Sequence, residues 1–166
     1  MVSGAKKRFE IERVGAGEPV VLELRGSIDE HSDLSLLHDA KGSSMLLVLK
    51  DIVRVNSVGV KKWIQAINRI DDGTDVVLSE CSLAIVAQIN MVKNFAGRAR
   101  IRSFYAPYYC SGCDAEFRFL YDVDHNFGAV PFQAPPAVCP QCQQQLVFDD
   151  IEADYLQVVA IARGMR

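Results

Sequence analysis

Two cysteine pairs constrain this chain more than any other feature. Cys110 and Cys113 form one Cys-x-x-Cys unit, and Cys139 and Cys142 form a second after a gap of 25 residues. Two residues between thiols let both sulfurs of a tight turn face one ion, and two such knuckles complete the four-sulfur tetrahedron that zinc accepts. The spacing therefore predicts one structural Zn2+ bound by all four thiolates. A closed shell of that kind leaves no open position for water or substrate, so the centre is expected to be structural rather than catalytic.

The competing reading of the second pair is redox. "CPQC" superficially resembles the active-site pair of glutaredoxin-like proteins, which needs a preceding strand and a following helix that lowers the first thiol's pKa; neither is evident around "PPAVCPQCQQQLVF". Zinc knuckles favour a left-handed residue after the second cysteine, where Asp114 and Gln143 stand in place of glycine. His125 is an alternative ligand, although four cysteines already suffice and a histidine beside Asp122 and Asp124 is read as solvated. Cys81 reads as a small buried residue.

Ahead of the cysteines, apolar runs alternate with helical patterns. "KRFEIERV" and "PVVLELRG" read as strands joined at "GAGE", "SSMLLVLKDI" as a buried strand, and "TDVVLSE" and "RARIRSFYAPYY" as two more. Three helices are expected between them. "DEHSDLSLLHDA" is the first; the second starts at Ser57 with Val60, Ile64 and Ile67 on its buried face; the third is "SLAIVAQINMVKNFAG", ending at Gly97. Such alternation predicts an α/β domain, a sheet with helices packed on it, over residues 5–108. Residues 109–148, proline-rich near their end and without sustained period, read as a small zinc-ribbon module that needs its staple. Residues 149–166 read as a terminal helix with Ile151, Tyr155, Val158 or Val159 and Ala162 on one face, belonging either to the ribbon or to the sheet.

Charge narrows the function. Met1–Arg102 holds 15 basic and 13 acidic residues, whereas Ser103–Arg166 holds 3 and 8. Phosphate tracking needs clustered cations, so nucleic-acid binding by the ribbon is disfavoured, and Phe117, Phe119, Tyr121 and Phe127 read as its own small core rather than as base-stacking platforms. The N-terminus lacks an apolar signal core and no run approaches the roughly 18 residues of a membrane span, so the expectation is a cytoplasmic protein with no membrane contact. No glycine-rich phosphate loop or nucleophile elbow is present, and His31 and His38, beside Asp33 and Asp39 and seven residues apart on one helical face, read as solvated; the expectation is a non-enzymatic protein.

"VVLELRGSID", "LLVLKDIVRVNSVGVKKWIQAI" and "DVVLSECSLAIVAQINM", in that order, resemble a STAS domain, the fold of anti-sigma-factor antagonists and sulphate-transporter tails. The resemblance covers about Lys6 to Tyr109. Family members carry Asp-Ser-Ser/Thr-Gly before the second helix, the first serine being phosphorylated by a partner kinase that doubles as an anti-sigma factor. The matching positions are Asn56, Ser57, Val58 and Gly59, so serine and glycine are kept while the acid and the second hydroxyl are not. The resemblance implies a bacterial signalling module that docks a serine kinase of the anti-sigma type, or a larger signalling complex, through Asn56, Ser57, Val58 and Gly59; Arg54, Lys61 and Lys62 lie close enough in sequence to join that partner-binding surface and lower the cost of an added phosphate, and read otherwise as a solvated basic face. Two roles stand open for Ser57: a helix cap, or a phosphorylation switch whose added charge repels a docked partner.

Overall fold

Short runs rich in Val, Leu and Ile become strands in the computed structural model, which describes residues 8–165. Strands β1 (Glu10–Val14), β2 (Val20–Ile28), β3 (Ser44–Val55), β4 (Asp75–Ser79) and β5 (Arg100–Ile101) lie side by side in chain order; β1 is antiparallel to β2 and the rest are parallel. The register sets Leu22 beside Leu47, Leu47 beside Leu78, and Leu78 beside Ile101. Because side chains alternate along a strand, this row points to one face, and all four residues are buried. The neighbouring row, Val14, Val21, Leu46, Val77 and Arg100, points to the other face and is only partly covered or exposed.

Helices α1 (Leu36–Asp39), α2 (Ser57–Arg69) and α3 (Leu83–Met91) connect the parallel strands. Each connection moves one strand in the same direction, so right-handed crossovers bring all three to the leucine-rich face. Trp63 of α2 is fully buried, stacks on Phe95 at a centroid distance of 5.5 Å and donates its Nε1–H to the Phe95 carbonyl at 2.9 Å. The fold is thus a mixed sheet with helices on it.

The chain then bends into a second sheet without leaving the first. Arg102 N donates to Leu78 O at 2.9 Å, Cys81 N to Ser103 O at 3.0 Å, and Tyr105 N to Cys81 O at 2.9 Å. Strand β6 (Ser103–Cys110) continues from that seam as the centre of an antiparallel sheet, flanked by β7 (Ala115–Asp122) and β8 (Val147–Phe148). Two short helices, α4 (Glu152–Tyr155) and α5 (Gln157–Ala162), return to pack on α3. Asn90 of α3 donates to Asp154 O and Tyr155 O at 3.2 and 2.8 Å, and the Tyr155 hydroxyl donates to Tyr105 O at 2.6 Å. Just beyond, the Arg163 guanidinium reaches the carbonyls of Val123, Phe127 and Gly128 at 2.8, 2.9 and 2.7 Å, tying the chain's end to the loop after β7.

Four expectations need correction. The first helix is a single turn at Leu36–Asp39, because side chains upstream bond backbone amides in competition with a helix: Asp29 Oδ1 accepts from His31 N, Ser32 Oγ from Asp29 N, and Asp33 Oδ1 from Ser35 N. His31 therefore lies outside the helix that carries His38. Helix α3 ends at Met91, and Asn94 at φ 63° and Gly97 at φ 57° turn the chain where a longer helix was expected. The stretch after Cys113 holds an eight-residue strand, β7, and the terminal helix is two pieces whose preceding residue, Ile151, is 65% exposed instead of lining the buried face. The expected start of the first strand at Lys7, and of the family resemblance at Lys6, lie outside the described residues.

Candidate metal centre and the serine surface

Cys110 closes β6, and Cys113 lies in the turn that opens β7; the facing knuckle is positioned by a bridge between Val138 and Gln145. All four sulfurs converge within 4.8 Å of one another. Across the knuckles, Cys110 Sγ is 3.5 Å from Cys142 Sγ, and Cys113 Sγ is 3.8 Å from Cys139 Sγ. A tetrahedron with metal–sulfur bonds of about 2.3 Å has edges of about 3.8 Å, whereas a disulfide brings its sulfurs to about 2.05 Å. The spacing fits one metal ion among four free thiols. His125 does not join them: its Nδ1 lies 2.8 Å from Asp122 Oδ1 on an exposed turn.

Local backbone supports the centre. Burial acts to raise the Cys139 thiol, but the amides of Cys142 and Gln141 aimed at its sulfur outweigh burial and hold it down at about 7. In the other knuckle the amides of Cys113 and Gly112 face Cys110, where burial prevails and the thiol is raised; hydrogen bonding from Cys142, with burial, pushes Cys113 up to about 12. Without a metal the raised Cys110 and Cys113 thiols do not ionise together with Cys139, so an entering cation displaces protons. Asp114 and Gln143 adopt the left-handed conformation expected after each second cysteine, at φ 50° and 63°. Gln143 N donates to Cys139 O at 3.0 Å, and Asp114 Oδ1 accepts the Tyr109 hydroxyl at 2.6 Å. No helix follows Cys142 before α4, unlike the arrangement that activates a redox pair.

Aromatic side chains fill the space behind the knuckles. Tyr108 meets Phe119 and Phe148 edge-on at 5.4 and 5.3 Å and donates its hydroxyl to Pro135 O at 2.6 Å. Phe127 stacks on Phe104 at 5.7 Å, and Phe117 and Tyr121 are half-buried against the same core. These rings are occupied by one another.

At the start of α2 the cap is Asn56, not Ser57. The Asn56 Oδ1 accepts from Gly59 N at 2.7 Å, and its Nδ2 donates to Glu30 Oε2 at 2.8 Å. Ser57 occupies the first helical position, exposed, and its hydroxyl makes no hydrogen bond among the described residues. Val58 is 48% exposed, and Arg54 and Lys61 are exposed. Two residues expected at this surface are less accessible than the rest. Gly59 is buried, and a Cβ there would lie 2.0 Å from Ile28 O; Lys62 is half-buried, its ammonium donating to the carbonyls of Glu30 and Ser32 at 2.9 and 2.5 Å. Glu30 was missed from sequence because 26 residues separate it from Asn56 and no local pattern links them.

Comparison with protein-family models, curated proteins and solved structures finds no match for this chain. Among the described residues, no helix is long and apolar enough to cross a membrane.

Proposed function

We propose that the chain is a non-catalytic bacterial docking module of STAS type, braced by one structural zinc ion and contacting a protein partner through the start of α2. The observation that carries this reading is the free hydroxyl of Ser57. Asn56 already satisfies the helix terminus, so the serine is exposed at a position where backbone N–H groups favour added negative charge, yet α2 does not depend on it. A phosphate there changes the surface by about −1.5 to −2 charges without removing the cap. Arg54, Lys61 and Val58 complete the contact surface, and the partner class is a serine kinase of the anti-sigma type or a larger signalling complex. Zinc is the preferred ion because four thiolates at tetrahedral spacing are its usual structural shell.

The test couples elemental analysis with binding. Purified protein should contain one zinc per chain, and Ser57→Ala, Ser57→Asp and Val58→Asp should differ from one another in capture of partner proteins from a bacterial lysate. Equal capture by all three and by the parent would sink the docking surface, and a metal-free protein would sink the centre.

A further inference from the structure

We propose that Cys142 is a peroxide oxidation site with Cys110 as its resolving thiol, so that peroxide expels the metal by closing a disulfide between the two knuckles. The proposal rests on the metal reading above. Of the four cysteines, Cys142 is exposed, Cys113 is half-buried, and Cys110 and Cys139 are buried. An oxidant arriving from solvent therefore meets Cys142 first. On the opposite knuckle Cys110 Sγ lies 3.5 Å from the Cys142 sulfur, in direct contact. Closing that gap to a bond of about 2.05 Å needs a sulfur displacement of about 1.5 Å, within reach of side-chain rotation.

The chemistry balances with hydrogen peroxide as the oxidant. The Cys142 thiolate attacks one peroxide oxygen, the O–O bond breaks, and hydroxide leaves to take up a proton as water, giving a sulfenic acid. The Cys110 thiolate then attacks that sulfur, the S–O bond breaks, and the second hydroxide likewise becomes water. Two thiolates have lost two electrons in total, and one peroxide has become two waters. The ion has lost two of its four ligands, and Cys113 and Cys139 alone do not form a closed shell.

Oxidation and chelation consequently give different metal-free proteins. In the oxidised form the 139–142 knuckle stays covalently tethered to the end of β6, whereas a chelator removes the ion and leaves no such link. Cys81 supplies an internal control: it is fully buried and burial pushes its thiol up to about 12, so it stays reduced.

The experiment starts from the full chain with its metal content counted. Hydrogen peroxide is added stepwise, released ion is followed with a chromogenic chelator, and disulfides are mapped by mass spectrometry of non-reduced peptides after alkylation. The expected result is metal release complete near about one equivalent of consumed peroxide, with Cys110–Cys142 as the first linked pair and Cys81 alkylated throughout. A first link of any other pair, whether within a knuckle (Cys110–Cys113 or Cys139–Cys142) or between Cys113 and Cys142, overturns the proposal. So does retention of metal through roughly a tenfold excess of peroxide. Absence of metal at the outset refutes the centre itself, and the count taken before peroxide separates that failure from the other two.

Discussion

Replacing Asn56 by alanine should cost the protein about three times what replacing Ser57 costs, although the residues are adjacent. Asn56→Ala removes the acceptor that caps Gly59 N at 2.7 Å, and an N-cap of this kind contributes about 1 kcal/mol. It also removes the 2.8 Å bond to Glu30, which is exposed and adds only about 0.5 kcal/mol. The sum is about 1.5 kcal/mol, a fall of roughly 3–6 °C in Tm for a chain of this size. Ser57→Ala removes an exposed hydroxyl that makes no hydrogen bond among the described residues and should stay within about 0.5 kcal/mol. A third variant checks the geometry: Asn56→Asp keeps the cap but sets a second carboxylate against Glu30, so adding Glu30→Gln should stabilise the Asn56→Asp variant more than it stabilises the parent. Urea unfolding followed by far-ultraviolet circular dichroism reads all of these. If Ser57→Ala costs as much as Asn56→Ala, the serine is itself the cap, and the argument that it is free for modification collapses.

Three further outcomes test other parts of the structure. Gly59→Ala places a Cβ 2.0 Å from the Ile28 carbonyl, forcing α2 off the sheet at a cost of about 2 kcal/mol or more, whereas Gly112→Ala meets only the far end of the Gln144 side chain and should be milder by calorimetry. Arg163→Met leaves three loop carbonyls without their shared donor and should destabilise by about 1–2 kcal/mol, with faster proteolysis between Val123 and Val138; unchanged cleavage would remove the clamp from the account. The Arg100 guanidinium, bonded to Asp75 at 2.7 Å, holds that carboxyl below its ordinary value. Its contribution is therefore present above the ordinary carboxylate range and lost as pH falls through the depressed value; Arg100→Gln should move the Asp75 titration, read by NMR, back upward.

The sequence revealed most where one residue type carries the physics alone. Continuous Val, Leu and Ile in β2, β3 and β4 have few alternatives to a buried strand, and Cys-x-x-Cys fixes a knuckle whatever surrounds it. The departure from glycine after Cys113 and Cys142 told against the knuckles in sequence, yet Asp114 and Gln143 turn left-handed without it. β7 was also open to reading, since Phe117, Phe119 and Tyr121 alternate with Glu116, Arg118 and Leu120, although apolar Leu120 on the exposed side blurs the period of two. The choice between Asn56 and Ser57 as cap was not legible, because both residue types cap well and only the partner at Glu30 decides. Nor was the role of Gly59, which depends on how closely α2 approaches the end of β2.

The position of the four-cysteine cluster between β6 and the terminal helices would give a bound metal ion a reach beyond its own loop. β6 is hydrogen-bonded to the end of β4 at Cys81, so one strand serves both sheets. Helices α4 and α5 follow the second knuckle in sequence, yet pack on α3 through Asn90, while Arg163 binds the loop after β7. Loss of a bound ion would free residues 123–146 from the tetrahedral anchor that the four thiols can form, and that loop is what Arg163 and the Tyr108 hydroxyl hold. The terminal helices then lose one of their supports, and the cover over α3 weakens with them. A module whose staple were local would melt alone; here chelation should lower the main unfolding transition rather than add a separate early one, and two resolved transitions in calorimetry would show that the ribbon is an appendage.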